Sequence, residues 1–171
     1  MLNTKNIWKK ILYLFLITIT LFILDNTIVT FFKFKGVYPS ILFAFIICYS
    51  IINGYEEAII LGVISGYLQD IFFPGVLGIN MFANLVLCVL AARIGKSIFK
   101  EKILIPAMST FLVSVLKSGI IYLLLIFIGS KNDFLHLIIY KAVYEMIVTF
   151  ISYKLILKFS ETKTMKKEWR F

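Results

Sequence analysis

Six apolar runs follow one another along the chain, at residues 11–32, 37–52, 58–73, 76–94, 103–128 and 134–157, and only short polar segments separate them. A helix needs about 20 predominantly apolar residues to cross the hydrocarbon core of a bilayer. Six crossings therefore take up most of the 171 residues, which leaves no room for a separate soluble catalytic domain. With 61% hydrophobic residues, 16% charged residues and a mean hydropathy of +0.96, the chain is expected to be an all-α membrane protein of six transmembrane helices. It reads as a single integral membrane domain over residues 1–171, with a short basic cytoplasmic tail at 160–171.

The first run follows a basic start, Lys5, Lys9 and Lys10, as a signal peptide does. It is longer than a signal-peptide core and lacks a small-residue cleavage site after it, so it is expected to stay as a span. Pro39 is placed in the first turn of the second run, Pro74 and Gly75 end the third, and residues 129–133 make the last break. Charge then sets the orientation. Of the 18 Lys and Arg, 13 fall on the side that holds both termini and 3, Lys33, Lys35 and Lys131, on the other. The positive-inside rule puts both termini in the cytoplasm. The tail, with Lys163, Lys166, Lys167 and Arg170, is expected to leave the bilayer and meet anionic lipid, and nucleic acid is a poor explanation for the net charge of +9. Cys48 and Cys88 lie within apolar runs and read as packing residues.

Ionisable residues within spans cost about 2.5–3.5 kcal/mol each on insertion scales, so each needs a partner, a wet cavity or an interfacial position. There are five: Asp25, Asp70, Lys117, Lys141 and Glu145. A helix rise of about 1.5 Å per residue puts Asp25 and Lys117 about 21 Å, and Asp70 about 18 Å, above the cytoplasmic starts of their runs. Lys141 and Glu145 come out about 10 Å and about 17 Å below the outer surface. The charges thus share a layer in the outer half of the membrane. Lys141 and Glu145 are i,i+4 neighbours expected to pair on one face, although Lys before Glu is the weaker order. Asp25 and Asp70 are left with Lys117 as the natural cross-helix partner, which could pair with either, with Asn26, Gln69, Asn80 and Asn84 as neutral hydrogen-bonding groups. His136, Tyr140 and Tyr144 form a further stripe on the sixth run. Three uses of this layer stay open: a network that holds helix register, a surface or cavity that receives a partner or ligand, and a path for protons or ions.

Gly62, Ser65 and Gly66 make a small-residue face on the third run, with GxxxG spacing that suits close helix contact, more naturally within the chain than between chains. Catalytic patterns are absent. The single His136 has no serine beside it on its run, the three buried carboxylates lie on three different runs, and no HExxH motif, Walker loop or dinucleotide fingerprint occurs. No enzymatic activity, cofactor or metal is expected, and no internal repeat is visible.

The stretch from Gly62 to Phe82 resembles the signature of the rod shape-determining protein MreD family. In that family a small-residue helix ends in a Gly-x-x-x-Asp-like pattern, and a short turn leads to a Leu-Gly that opens the next helix. Gly66, Asp70, Leu77 and Gly78 occupy those places. Chain length, basic termini and the polar pair Asp25–Asn26 late in the first run match the family plan as well, though members often carry glutamine where Asp25 stands. The resemblance implies a non-catalytic subunit of the bacterial elongation machinery, which couples lateral peptidoglycan synthesis to cell shape. Its implied principal partner is MreC, within a wider complex with MreB, a RodA-type glycosyltransferase and its transpeptidase. It also implies a fold similar to the substrate-binding subunits of energy-coupling-factor vitamin transporters. Solute binding is therefore the alternative function. Against it, those subunits resemble one another in an Ala-x-x-x-Ala-like face on their first span, whereas bulky residues fill this chain's first run.

Overall fold

The computed structural model describes residues 4–33, 36–72, 78–96, 103–127, 135–162 and 165, which form an all-helical bundle. The described helices are α1 (Thr4–Thr27), α2 (Ile41–Asn53), α3 (Tyr55–Phe72), α4 (Ile79–Lys96), α5 (Leu104–Phe127) and α6 (Leu135–Ser160), with a 3-10 turn at Val29–Phe32 after α1. The breaks expected at Pro74–Gly75 and 129–133 lie outside the described residues, as do Lys35, Leu77, Lys131, the tail's Lys163, Lys166, Lys167 and Arg170, and the side chain of His136.

The helices do not coincide with the apolar runs. α1 begins at Thr4 and takes in the basic start, because Lys is a good helix former at positions where no packing is required. α2 begins at Ile41, not in the turn around Pro39, because the capping groups described below meet the chain at Ser40. By length and apolar composition, three described stretches qualify as membrane spans: Trp8–Thr27, Ile79–Lys96 and Leu104–Leu123. α3 carries Glu56, Glu57 and Asp70, and α2 has 13 residues.

α2 is the axis of the fold. Its sequence is apolar on all sides, and a helix with no polar face belongs in an interior. Leu42 through Asn53 are all buried, and the other five described helices pack around it. Its lower end meets α6, where Phe45, Tyr49 and Phe159 form an aromatic cluster with centroids 5.5–6.4 Å apart and Ser160 Oγ donates to Asn53 Oδ1 at 3.0 Å. Met165 tucks beneath, with the Tyr49 hydroxyl 3.6 Å from its sulfur and 2% of its surface exposed. The chain past α6 therefore does not simply leave the bundle: an apolar thioether finds cover under α2.

α3 and α4 share the most extensive contact among the described helices. A Cβ on Gly62 would lie 2.7 Å from Leu85 Cα, and one on Gly66 would collide with Met81 Cα, so the two backbones touch where side chains normally stand. Phe22 and Phe72, 5.0 Å apart, tie α1 to α3. The chain alternates up and down, so the start of α1 and the end of α6 share one end of the bundle. There Lys10 pairs with Glu57 at 2.6 Å, and Lys96 lies 4.4 Å from the centroid of the Tyr55 ring.

Gly66→Ala should force α3 from α4 and cost about 1–3 kcal/mol, the usual range for overpacking. Gly119→Ala, on α5 with open space at its Cβ, should be neutral or slightly stabilising because alanine is the better helix former. Thermal unfolding of the two variants in the same detergent measures the contrast.

Candidate functional site

A helix that begins inside a bundle exposes up to four backbone N–H groups without partners. α2 begins that way, and Asp25, near the end of α1, supplies what is missing. Its Oδ1 accepts from Ile41 N at 2.8 Å, and its Oδ2 accepts from Leu42 N at 3.1 Å and from Ser40 Oγ at 2.7 Å. Ser40 Oγ in turn accepts from Phe43 N at 3.0 Å. The first three amides of α2 are thereby satisfied, and the carboxylate sits at the positive end of the helix dipole.

Asp70, near the end of α3, does the same for α4. Its Oδ2 accepts from the amides of Gly78 and Met81, and its Oδ1 from the Asn80 amide and from Asn80 Nδ2, all at 3.0 Å. Gly78 adopts φ +97°, which brings its N–H round to the carboxylate at little steric cost. A carboxylate has about four acceptor sites. Those of Asp70 are filled, which is why Asp70, one of the two partners open to Lys117, does not pair with it. The two hairpins repeat one device that is invisible as sequence similarity.

Lys117, itself buried, donates to Gln69 Oε1 at 3.0 Å and lies 4.5 Å from the centroid of the Phe43 ring. Gln69 Oε1 also accepts from Asn84 Nδ2 at 3.1 Å, and Asn84 Nδ2 reaches Ser65 Oγ at 3.2 Å, so a chain of hydrogen bonds that ends on the Lys117 ammonium links α3, α4 and α5. The expected Lys141–Glu145 pair is also absent: the ion pair within 4.0 Å among the described residues is Lys10–Glu57. Long side chains on a helix lean toward its N-terminus, which draws the Lys141 ammonium away from the residue that follows it by one turn. Glu145 is 1% exposed, and its Oε2 has no hydrogen-bond partner.

These groups meet at one cavity of about 110 Å³, large enough for a few water molecules. Asp25, Asn26, Asn80, Lys117, Lys141 and Glu145 contribute to its wall, together with Ser40 and Gln69. Asn26 also donates to Phe22 O at 2.8 Å. Asp70 and Asn84 stand behind the wall, and Gly62, Ser65 and Gly66 face α4 farther off. Among the described residues, no group of three or more His, Cys, Asp or Glu is placed to hold a metal ion. Ser40 and Phe43 were missed from the sequence. A serine directly before an apolar run is a helix-start signal and could have located Ser40, whereas Phe43 carries no signal beyond being apolar.

Loss of the Asp70 carboxylate strands several buried donors at once. Asp70→Ala is therefore expected to cost about 3 kcal/mol or more, above the roughly 1 kcal/mol of an ordinary helix cap. A double-mutant cycle of Asp70→Asn with Lys117→Met should be additive, while Gln69→Leu with Lys117→Met should show a coupling of about 0.5 kcal/mol or more. Denaturant unfolding of the detergent-solubilised variants supplies both cycles.

No curated protein and no solved structure matches the chain significantly. A family model described as rod shape-determining protein MreD matches residues 8–163. That match takes in both capped hairpins and every wall residue of the cavity, and the chain belongs to the MreD family of rod shape-determining proteins.

Proposed function

We propose that this protein is a non-catalytic scaffold of the elongation machinery, which holds MreC in the membrane and so helps to direct lateral peptidoglycan synthesis. MreB, a RodA-type glycosyltransferase and its transpeptidase complete the wider assembly. The observation that carries this reading is the use of Asp25 and Asp70 as helix caps. All four acceptor sites of Asp70 are in use, so protonating it would put a donor where the start of α4 needs an acceptor, and it does not serve as a proton shuttle without loosening the helix it holds. Family membership over residues 8–163 supports rod shape determination as the process.

In this reading all six helices lie in the plasma membrane with both termini in the cytoplasm. The bundle end with Lys10, Arg93, Lys96 and Lys158 then faces the cytoplasm, in keeping with the positive-inside rule and with anionic lipid around the basic tail. α2 is too short to span hydrocarbon alone at about 20 Å. It needs no lipid contact, since protein surrounds it and the capping carboxylate satisfies its start. The transporter reading is weaker, because bulky residues fill the first run where the transporter subunits resemble one another in an Ala-x-x-x-Ala-like face.

In a background without Cys48 and Cys88, a membrane-impermeant thiol reagent should label Lys33→Cys from outside and leave Glu161→Cys untouched. Depletion should round the cells, and co-expressed MreC should co-elute with the protein at constant ratio. The reverse labelling pattern would overturn the orientation. Rod-shaped depleted cells, or turnover of a lipid-linked substrate by the isolated protein, would overturn the scaffold reading.

A further inference from the structure

The charged cavity adjoins a second space. A groove of about 250 Å³, lined by Val37, Ser118, Tyr122, Leu137 and Ile138, runs between α5, α6 and the segment before α2. Tyr38, Ile121 and Lys141 belong to both compartments. A polar chamber thus lies beside a mainly apolar groove, with an ammonium group on the wall they share.

The charges in the chamber are not equivalent. Asp25 is engaged by the start of α2, so its negative charge is already offset by backbone dipoles. Lys117 gives one N–H to Gln69, and an ammonium group has three, so donors remain on Lys117 as they do on Lys141. Two ammonium groups therefore face one uncommitted carboxylate, Glu145, whose Oε2 is buried and lacks a donor. Unpaired charge in a low-dielectric interior is costly, and an anion between the lysines would relieve it.

We propose that the two compartments form a binding site for a lipid phosphate, with the phosphate between Lys117 and Lys141 and the alkyl chain along the groove between α5 and α6. Tyr38 and Ile121 form the collar where head passes to chain. The inference rests on the membrane reading above, which brings the groove to the outer leaflet. It is separable from that reading, because the labelling pattern and MreC co-elution do not depend on an occupied site.

The test is native mass spectrometry of the full chain in a neutral detergent with added dodecyl phosphate, dodecanol or inorganic phosphate. The expected result is a one-to-one adduct with dodecyl phosphate that dodecanol and inorganic phosphate do not match at a hundredfold excess. Lys141→Met, and Ile121→Trp at the junction, should each weaken the adduct tenfold or more, while Lys154→Met, an equal charge loss far along α6, should leave it unchanged. Each variant is read only if it elutes as a monodisperse peak, and should Lys141→Met fail to do so, Lys141→Gln replaces it. Absence of the adduct, or unchanged binding in either cavity variant, overturns the proposal. Inorganic phosphate binding as tightly as the ester would make this a small-anion site and also overturn it.

Discussion

A helix that starts within a low-dielectric interior must find acceptors for its first amides, and the rest of this fold is arranged around how that demand is met. Asp25 and Asp70 each stand near the C-terminal end of one helix and accept from the first residues of the next helix downstream. A carboxylate near its own helix C-terminus is at the unfavourable end of that dipole. The N-terminus of the following helix reverses the balance. The two interactions set the heights of α2 against α1 and of α4 against α3, because the cap geometry tolerates little sliding along the helix axis.

With those heights set, the close contacts fall into place. α2 becomes a short interior rod, and its lower end sits where Ser160, Phe159 and Met165 can close over it. Asp70 also brings α4 to the height at which Met81 and Leu85 pass directly over Gly66 and Gly62. A cap and a backbone contact on the same pair of helices reinforce each other: the glycines permit the approach, and the carboxylate chooses its register. The intimacy of the α3–α4 hairpin follows from both.

Much of the architecture was legible as apolar runs, since a long stretch without polar residues has few alternatives to a helix. The limits of the helices were less so. Apolarity marks what can be buried, not where the backbone finds caps, so α2 was placed around Pro39 when Ser40 and Asp25 start it at Ile41. The charged residues were recognised as a set, and the cavity does gather Asp25, Lys117, Lys141 and Glu145. Their partners are not legible in the same way: matching opposite charges leaves out the backbone amides, which compete for the carboxylates and carry no sequence signature. Asp70 is the clear case: its four acceptor sites go to Gly78, Asn80 and Met81.

The same competition determines what remains available for function. Had Asp25 and Asp70 paired with lysines, the interior would be electrically closed and inert. Because backbone amides take both carboxylates, Lys117 is left with the neutral Gln69 Oε1 and the face of Phe43, and Lys141 stands at a cavity wall. The helix starts thus consume negative charge and leave positive charge uncompensated one layer away. A structural necessity, the capping of helices that begin inside the bundle, thereby creates the electrostatic character of the cavity. An occupant of that cavity would touch the wall that also anchors α2, through Asp25 and Ser40.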